Sequence, residues 1–432
     1  MNDNNNEVND STDAEAVARF EKIKAIRKAV SSGRKPEDAE IPQYIRNREP
    51  LPPVKPVYRA RRNETNRAEL QESKPKPKKK SARKKKKTFG QKLRGLFPER
   101  GDSVLESVRK TVFLISIAAI IICGYMVGDY YLDLWRNSMR NDEISKIHNI
   151  YHEPETEKRV VVDENGVRQK YYELRINAQK LLDMNPEYVG FLTLPTIDGD
   201  PVFELPVVQA EDNNKYLNTS FIGTESRAGT LFMDWRNNFD KVENHHLAVK
   251  NSDNIVIYGH NMGDDSMFGS LKYYYRNYDY YDKHPILYFE SRYEIYTYKI
   301  FSTFILDADD KTDTKFDCWN KLDFDSEEDF YDFVNEAKKR TFRTNNVDVK
   351  YGDELLTLST CNTLLGDNGR LIVMARKVRP DEDPYEGTES QANPNIKFPT
   401  MYYQIRTNEH YDPNAEFVPY GPENKSKSKT EE

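Results

Sequence analysis

Eighteen consecutive uncharged residues, TVFLISIAAIIICGYMVG from Thr111 to Gly128, stand between Lys110 and Asp129. A helix needs roughly 17–25 apolar residues to cross a bilayer, and helices in the core of soluble proteins rarely go so far without a charge. Tyr130, Tyr131, Leu132 and Trp135 follow at the position of interfacial anchors. The run begins more than a hundred residues into the chain and no A-x-A-like site follows it, which speaks against a cleaved leader. The sequence therefore predicts a single transmembrane helix over residues 111–128, and every other segment must be placed on one side of it or the other.

Charge supplies the sides. Through residue 110 there are 29 Lys and Arg against 16 Asp and Glu; beyond it the balance reverses, 36 against 55. In KPKPKKKSARKKKK, Lys74 to Lys87, ten of fourteen residues are Lys or Arg. Positive charge next to a span stays in the cytoplasm, so residues 1–110 are expected inside as a largely disordered basic arm and everything after about residue 130 outside. A basic run this near a span suits anionic lipid headgroups better than a nucleic acid; membrane lipid is the expected partner and nucleic acid is not. Within the arm, Val17, Phe20, Ile23, Ile26 and Val30 recur at helical spacing in Ala14–Val30. FGQKLRGLF, Phe89 to Phe97, is a short basic amphipathic stretch suited to the inner membrane surface.

Beyond the span, residues 129–184 read as a membrane-proximal helical segment. Leu174, Ala178, Leu181 and Leu182 share one side of a helix that must end before Pro186. The texture then changes to short β-prone runs separated by turn residues: GFLTLP, PVFELPVVQ, GTLFMDW, NIVIYGH, ILYFE, EIYTYKIFSTFIL, DELLTLSTC and GRLIVMARKV. Such a pattern predicts an antiparallel barrel or sandwich over residues 185–380. One helix interrupts it, Ser326 to Phe342, with a Ser N-cap, acids in its first turn, bases in its last, and Phe330, Phe333, Val334 and Ala337 on its apolar face. Residues 381–432 form a polar, Pro-containing tail expected to carry little structure of its own beyond about residue 385.

The chain has three cysteines, too few for a disulfide framework. Cys123 falls in the span. Cys361 ends the apolar run LTLSTC, and Cys318 reads as a buried or incidental thiol. A buried small hydrophobe is the bland reading of any lone Cys; a nucleophile needs a partner that promotes the thiolate and a donor where charge develops on the attacked carbonyl. Of seven histidines, His148 and His152 are membrane-proximal, His245 and His246 sit in a polar turn, His284 precedes Pro285, and His410 is in the tail. His260 closes NIVIYGH and is the best candidate base. Arg370 opens the run after Cys361, where a hairpin returns it beside the cysteine, and its fork of donors suits a substrate carbonyl or an oxyanion. Each of the three lies at the mouth of an otherwise apolar strand. No metal-ligand cluster and no cofactor motif is present.

With these residues in place the sequence resembles a sortase, and specifically a class B sortase. The resemblance spans roughly residues 170 to 380 and rests on NPEYVGFLTLP (Asn185 to Pro195), PVVQAEDNNKYLN (Pro206 to Asn218), AGTLFMDWRN (Ala228 to Asn237) and IYGHNM (Ile257 to Met262). SMFGSLKYY, DKHP, TLSTC and GRLIVMARKV continue it, as does the long helix before the cysteine strand. It implies a mostly β fold, the eight-stranded sortase barrel with N-terminal helices, and a membrane-anchored cysteine transpeptidase. By resemblance, Cys361 attacks the Thr carbonyl of a sorting signal of Asn-Pro-x-Thr-x type on a surface protein, His260 serves as general acid and base, and Arg370 holds the substrate backbone and the oxyanion. A cell-wall amine on a peptidoglycan precursor then resolves the thioacyl-enzyme. Asn213, Leu217, Ser359 and Thr360 match or adjoin positions lining the signal-binding groove, and each has an equally simple structural reading. Asn362 and Thr363 follow the cysteine where the best-known class B members carry acidic residues, a departure that bears on signal preference. Two other readings stay open: a pilin polymerase whose acceptor is a Lys amine, and an idle sortase-like module that binds a peptide without cleaving it. A papain-like protease fits less well, because the His precedes the Cys.

Overall fold

The structure, a computed structural model, describes residues 96–150, 160–162, 168–197, 199–310, 316–407 and 410–421. The basic run Lys74–Lys87, the stretch Ala14–Val30 and most of Phe89–Phe97 lie outside the described residues, as does the end of the tail. The described residues divide into two compact units, one ending at Leu132 and the other beginning at Asp133.

In the first unit the described residues are a short turn and the N-terminal part of helix α1 (Val104–Ile150). This helix is long and apolar enough to cross a membrane, and none of its apolar window is buried. It contains the expected span but continues on both sides of it. Neither Val104–Lys110 nor Asp129–Ile150 contains a Gly or Pro to stop a helix, and the Ser103 hydroxyl accepts from the Glu106 amide at its start.

The second unit is built on a closed eight-stranded barrel: β1 (Tyr188–Thr196), β2 (Gly199–Val208), β3 (Leu231–Met233), β4 (Asn254–Tyr258), β5 (Ile286–Ser291), β6 (Ile295–Asp307), β7 (Leu355–Cys361) and β8 (Gly369–Lys377). The spatial order is β6-β8-β7-β4-β3-β2-β1-β5, with β5 closing on β6. Each of the eight apolar runs in the sequence overlaps one strand. Pairing is not uniformly antiparallel as expected, because β2–β3 and β4–β7 run parallel. Both pairs are joined by long connections, which parallel neighbours require and hairpins cannot supply.

Nearly continuous burial along β6, β7 and β8 reflects cover on both faces. In β8, Leu371, Val373 and Ala375 belong to the barrel interior with Leu356 and Leu358 of β7. Ile372 and Met374, one residue out of phase, belong to an outer core with Leu355, Phe301 and Phe304. Helix α3 (Glu327–Arg340) covers that outer face with Phe330, Phe333, Val334 and Ala337, and its Ser326 cap accepts from the Asp329 amide at 3.2 Å. On β1, β2 and β3 a third core forms where Ile144 of α1 and Ala178 and Leu181 of helix α2 (Ile176–Met184) meet Tyr188, Phe191, Val208 and Phe232. His148 stacks on Phe191 and reaches the Glu290 carboxylate at 3.1 Å.

Beyond residue 385, where little structure of its own was expected, the tail carries a strand and a helix, and its anchoring begins just after Pro380. Glu382 takes Lys299 Nζ at 2.7 Å and pairs with the Arg376 guanidinium; both cations are fully buried on β6 and β8. Two buried cations need a carboxylate, and the tail brings it. Ser390–Ala392 then pairs antiparallel with Arg343–Asn345, helix α4 (Thr400–Ile405) follows, and Tyr420 is buried in the core under α3.

Candidate active site

β4 and β7 are parallel neighbours whose ends lie at the same rim, and β8 returns antiparallel beside β7. This topology carries the chain ends that follow β4, end β7 and begin β8 to one place. Cys361 and Arg370 are direct register partners across β7 and β8, while the Gly259 amide donates to Ser359 O at 3.2 Å and sets His260 at the edge of β7. A groove of about 370 Å³ opens there, lined by Asn213, Leu217, Phe232, Tyr258, Gly259, His260, Ala308, Trp319, Ser359, Thr360, Cys361 and Arg370. All seven residues singled out in the sequence thus line one cavity.

Cys361 is exposed, the last residue of a strand whose six preceding residues are buried. Its backbone carbonyl accepts from Asn261 Nδ2 at 2.8 Å, tying the β4 and β7 ends together. His260 Nε2 lies 2.7 Å from the Leu217 carbonyl oxygen. A carbonyl only accepts, so Nε2 carries the proton and the neutral ring keeps its lone pair on Nδ1. Arg370 is fixed by its own turn: Nη1 donates to Asp367 O at 2.9 Å and to Gly369 O at 2.8 Å. Among the described residues no hydrogen bond engages its Nε or Nη2, which leaves donors for a ligand.

Close packing dictates two glycines. A Cβ at Gly259 would lie 2.4 Å from Leu231 Cδ2 and 2.7 Å from Phe268 Cδ2, and one at Gly369 would lie 2.1 Å from Asn362 O. Asn362 shapes the turn Thr363–Asn368 between β7 and β8: its Oδ1 accepts from the Leu364 amide at 2.7 Å and its own amide donates to Gly369 O at 2.8 Å.

Ser359 and Thr360 are the most buried part of the groove lining among the residues expected to bind the signal. Asn213 donates to Asp234 Oδ2 at 3.0 Å and accepts from the Trp235 amide, and the Tyr258 hydroxyl reaches the same Asp234 oxygen at 3.0 Å. Burial alone pushes the Asp234 carboxyl up, but hydrogen bonds from Arg236 and Asn213 more than offset it, and its pKa falls below the ordinary value. Arg236 in turn holds the Trp319 carbonyl at 3.0 Å. Asp234 is thus the buried anchor for three lining residues.

Sequence reading missed Tyr258, Phe232, Ala308 and Trp319. Tyr258 and Phe232 sat inside motifs already noted, IYGH and TLFMDW. Nothing local marks Trp319, which reaches the groove from the connection between β6 and α3. Cys318, its neighbour, is buried, and burial pushes its thiol well above the ordinary range.

Comparison with known proteins gives the family. The Sortase domain family matches residues 236–378. Sortase B of Staphylococcus aureus is 31% identical over 228 residues, 50% of this chain and 86% of its own, and sortase B of Listeria monocytogenes is 28% identical over 270 residues, 62% and 96% respectively. A solved Bacillus anthracis protein described as similar to sortase B is 29% identical, with a TM-score of 0.44 over 56% of this chain and 96% of its own. The chain belongs to the sortase family of cysteine transpeptidases. Within that family it is a class B sortase.

Proposed function

We propose that Cys361 is the nucleophile, His260 the general acid and base, and Arg370 the oxyanion donor of a transpeptidase that cuts a surface-protein sorting signal after Thr. The Cys361 thiol gives its proton to His260 as the sulfur adds to the Thr carbonyl carbon, and the carbonyl electron pair moves onto oxygen within reach of the Arg370 guanidinium. Collapse breaks the C–N bond, and the leaving amine takes its proton from His260. An incoming primary amine gives a proton back to His260, attacks the thioester and expels the thiolate. One peptide bond is broken and one formed, with no net redox change.

The observation that carries this reading is the direct pairing of Cys361 with Arg370 across β7 and β8, in a groove that also holds His260. An ordinary thiol is only a few per cent thiolate at pH 7, so the imidazole must do proton work for turnover. Asn213, Leu217, Ser359 and Thr360 line or underlie the same groove and are assigned to binding the signal.

The peptidoglycan-precursor amine is the preferred acceptor. Residues 1–110 are assigned to the cytoplasm with Lys74–Lys87 on anionic lipid, the apolar part of α1 to the membrane, and the barrel with its tail to the outer face. That placement confines enzyme, signal-bearing protein and lipid-linked acceptor to one surface. The test uses the full chain in detergent micelles with a panel of fluorogenic Asn-Pro-x-Thr-x peptides and amine acceptors including glycine peptides and Lys side chains. Amine-joined product that disappears with Cys361→Ala supports the reading and names the acceptor. Joined product only with Lys acceptors shifts it to pilus assembly, and binding without cleavage overturns it.

A further inference from the structure

Residues 393–406 lie outside the matched sortase domain, which ends at 378, yet they run to the turn that joins Cys361 to Arg370. The segment starts at the end of α3. Asn393 donates through its amide to Phe342 O at 3.0 Å and through Nδ2 to Thr341 O at 2.9 Å, and the Lys397 amide donates to Lys339 O at 2.9 Å while its Nζ meets Glu336 at 3.0 Å. The Tyr403 hydroxyl then closes the segment on itself, donating to Ile396 O and accepting from the Phe398 amide, each at 3.0 Å.

Past this knot the segment touches both walls near Arg370. Phe398 stacks on Tyr402 with ring centroids 3.9 Å apart, and both pack, with Leu364 of the turn, against the barrel core. Arg406 Nε and Nη2 donate to Leu364 O at 3.4 and 3.3 Å. Midway, the Thr400 amide donates to the Asp310 carboxylate at 3.4 Å; two residues earlier, Ala308 lines the groove and its amide donates to Asn368 O at 2.9 Å.

The turn needs outside support. Thr363, Gly366, Asp367 and Asn368 are exposed, and Leu365 is its one buried anchor. Exposed turns with few buried contacts open at low free energy. Arg370 is held by a carbonyl of that same turn, Asp367 O, so motion of the turn is motion of the guanidinium.

We propose that residues 393–406 form a strap that positions the Cys361–Arg370 turn, with Arg406 and Tyr402 as positioning residues for the acyl-transfer step. The proposal rests on the roles of Cys361 and Arg370 given above. Arg406 is exposed, so Arg406→Ala should fold normally; Tyr402→Ala removes the aromatic contact independently; Arg406→Lys keeps a donor for Leu364 O.

The experiment measures, on the full chain in micelles, acylation of Cys361 by the fluorogenic Asn-Pro-x-Thr-x peptides alongside hydrogen exchange of the 363–369 amides. In Arg406→Ala and Tyr402→Ala, exchange at 363–369 should rise while exchange in β1 and α3 stays fixed. The acylation rate constant should fall between about three- and thirtyfold, inside the roughly hundredfold that a 1 Å misplacement costs, with KM within twofold and Arg406→Lys near wild type. Wild-type acylation in both variants, or unchanged exchange at 363–369, overturns the strap. A wild-type chain that forms no Cys361 adduct sinks the catalytic reading first, and the strap's catalytic role with it; the exchange data would then report only a structural contact.

Discussion

In the proposed reaction, Arg370 is where a single side chain decides most. A planar guanidinium pinned at Nη1 by two carbonyls can present a second nitrogen at a fixed angle, which an ammonium on a flexible stem cannot. Arg370→Lys is therefore expected to keep the fold and lower kcat/KM by about 10²–10³, the usual loss for an oxyanion donor; steady-state kinetics on peptide cleavage checks it, and a loss below threefold would remove Arg370 from that role. Gly259 works through space. A methyl group there has to displace Leu231 and Phe268, so Gly259→Ala should cost about 1–3 kcal/mol by overpacking and shift the His260 backbone as well. Thermal unfolding and kinetics together should show both losses. Cys361, His260 and Arg370 were legible in the sequence because each sits where an apolar strand ends or begins. Trp319 and Asp234 were not, because one arrives on a loop and the other acts through three partners contributed by distant segments.

Helix α3 is the element on which the outer core depends. Phe330 is buried against Phe324, with ring centroids 5.0 Å apart, in the cluster that covers β6, β7 and β8. Phe330→Ala should destabilise the domain by about 3–5 kcal/mol, read by denaturant unfolding, whereas Ser326→Ala should cost only about 1 kcal/mol through the lost cap. Equal effects would mean that α3 is held by its ends rather than by its face. Strand existence was legible element by element, since each barrel strand is a contiguous apolar run. Strand direction was not. The parallel pairs β2–β3 and β4–β7 follow from where long connections return, and no residue inside LFM or NIVIY records that. The length of α1 was half legible: the uncharged core marks the apolar window, while its continuation to Ile150 follows from the absence of Gly and Pro in a polar stretch.

At the scale of the whole molecule, the tail is integral to the barrel unit. Burial pushes the Glu382 carboxyl up, but Arg376 and Lys299 more than compensate and leave it at about 2; Glu336, similarly buried, is brought to about 2 by Lys339, Arg340 and Lys397. Folded-state values below the ordinary 4.5 mean stability that is complete above pH 4.5 and is lost as pH falls toward 2. Thermal unfolding between pH 6 and 2.5 should therefore show a steep loss in the wild type. Glu382→Gln should flatten part of that slope and, by removing the carboxylate that Lys299 and Arg376 share, lower stability at neutral pH by about 3 kcal/mol. An unchanged neutral-pH stability would mean that water solvates Lys299 and Arg376. The sequence shows a polar tail because its apolar residues are sparse, and the contribution of Glu382 depends on cations that only the folded barrel buries.

Intact-mass analysis of the full chain after brief exposure to an Asn-Pro-x-Thr-x peptide without acceptor reads the proposed thioacyl-enzyme itself. The expected result is a gain equal to the peptide's acyl fragment, mapped to Cys361, absent in Cys361→Ala and discharged when a primary amine is added. Peptide cleavage at an undiminished rate in Cys361→Ala, or saturable binding with no adduct in the wild type, would contradict it.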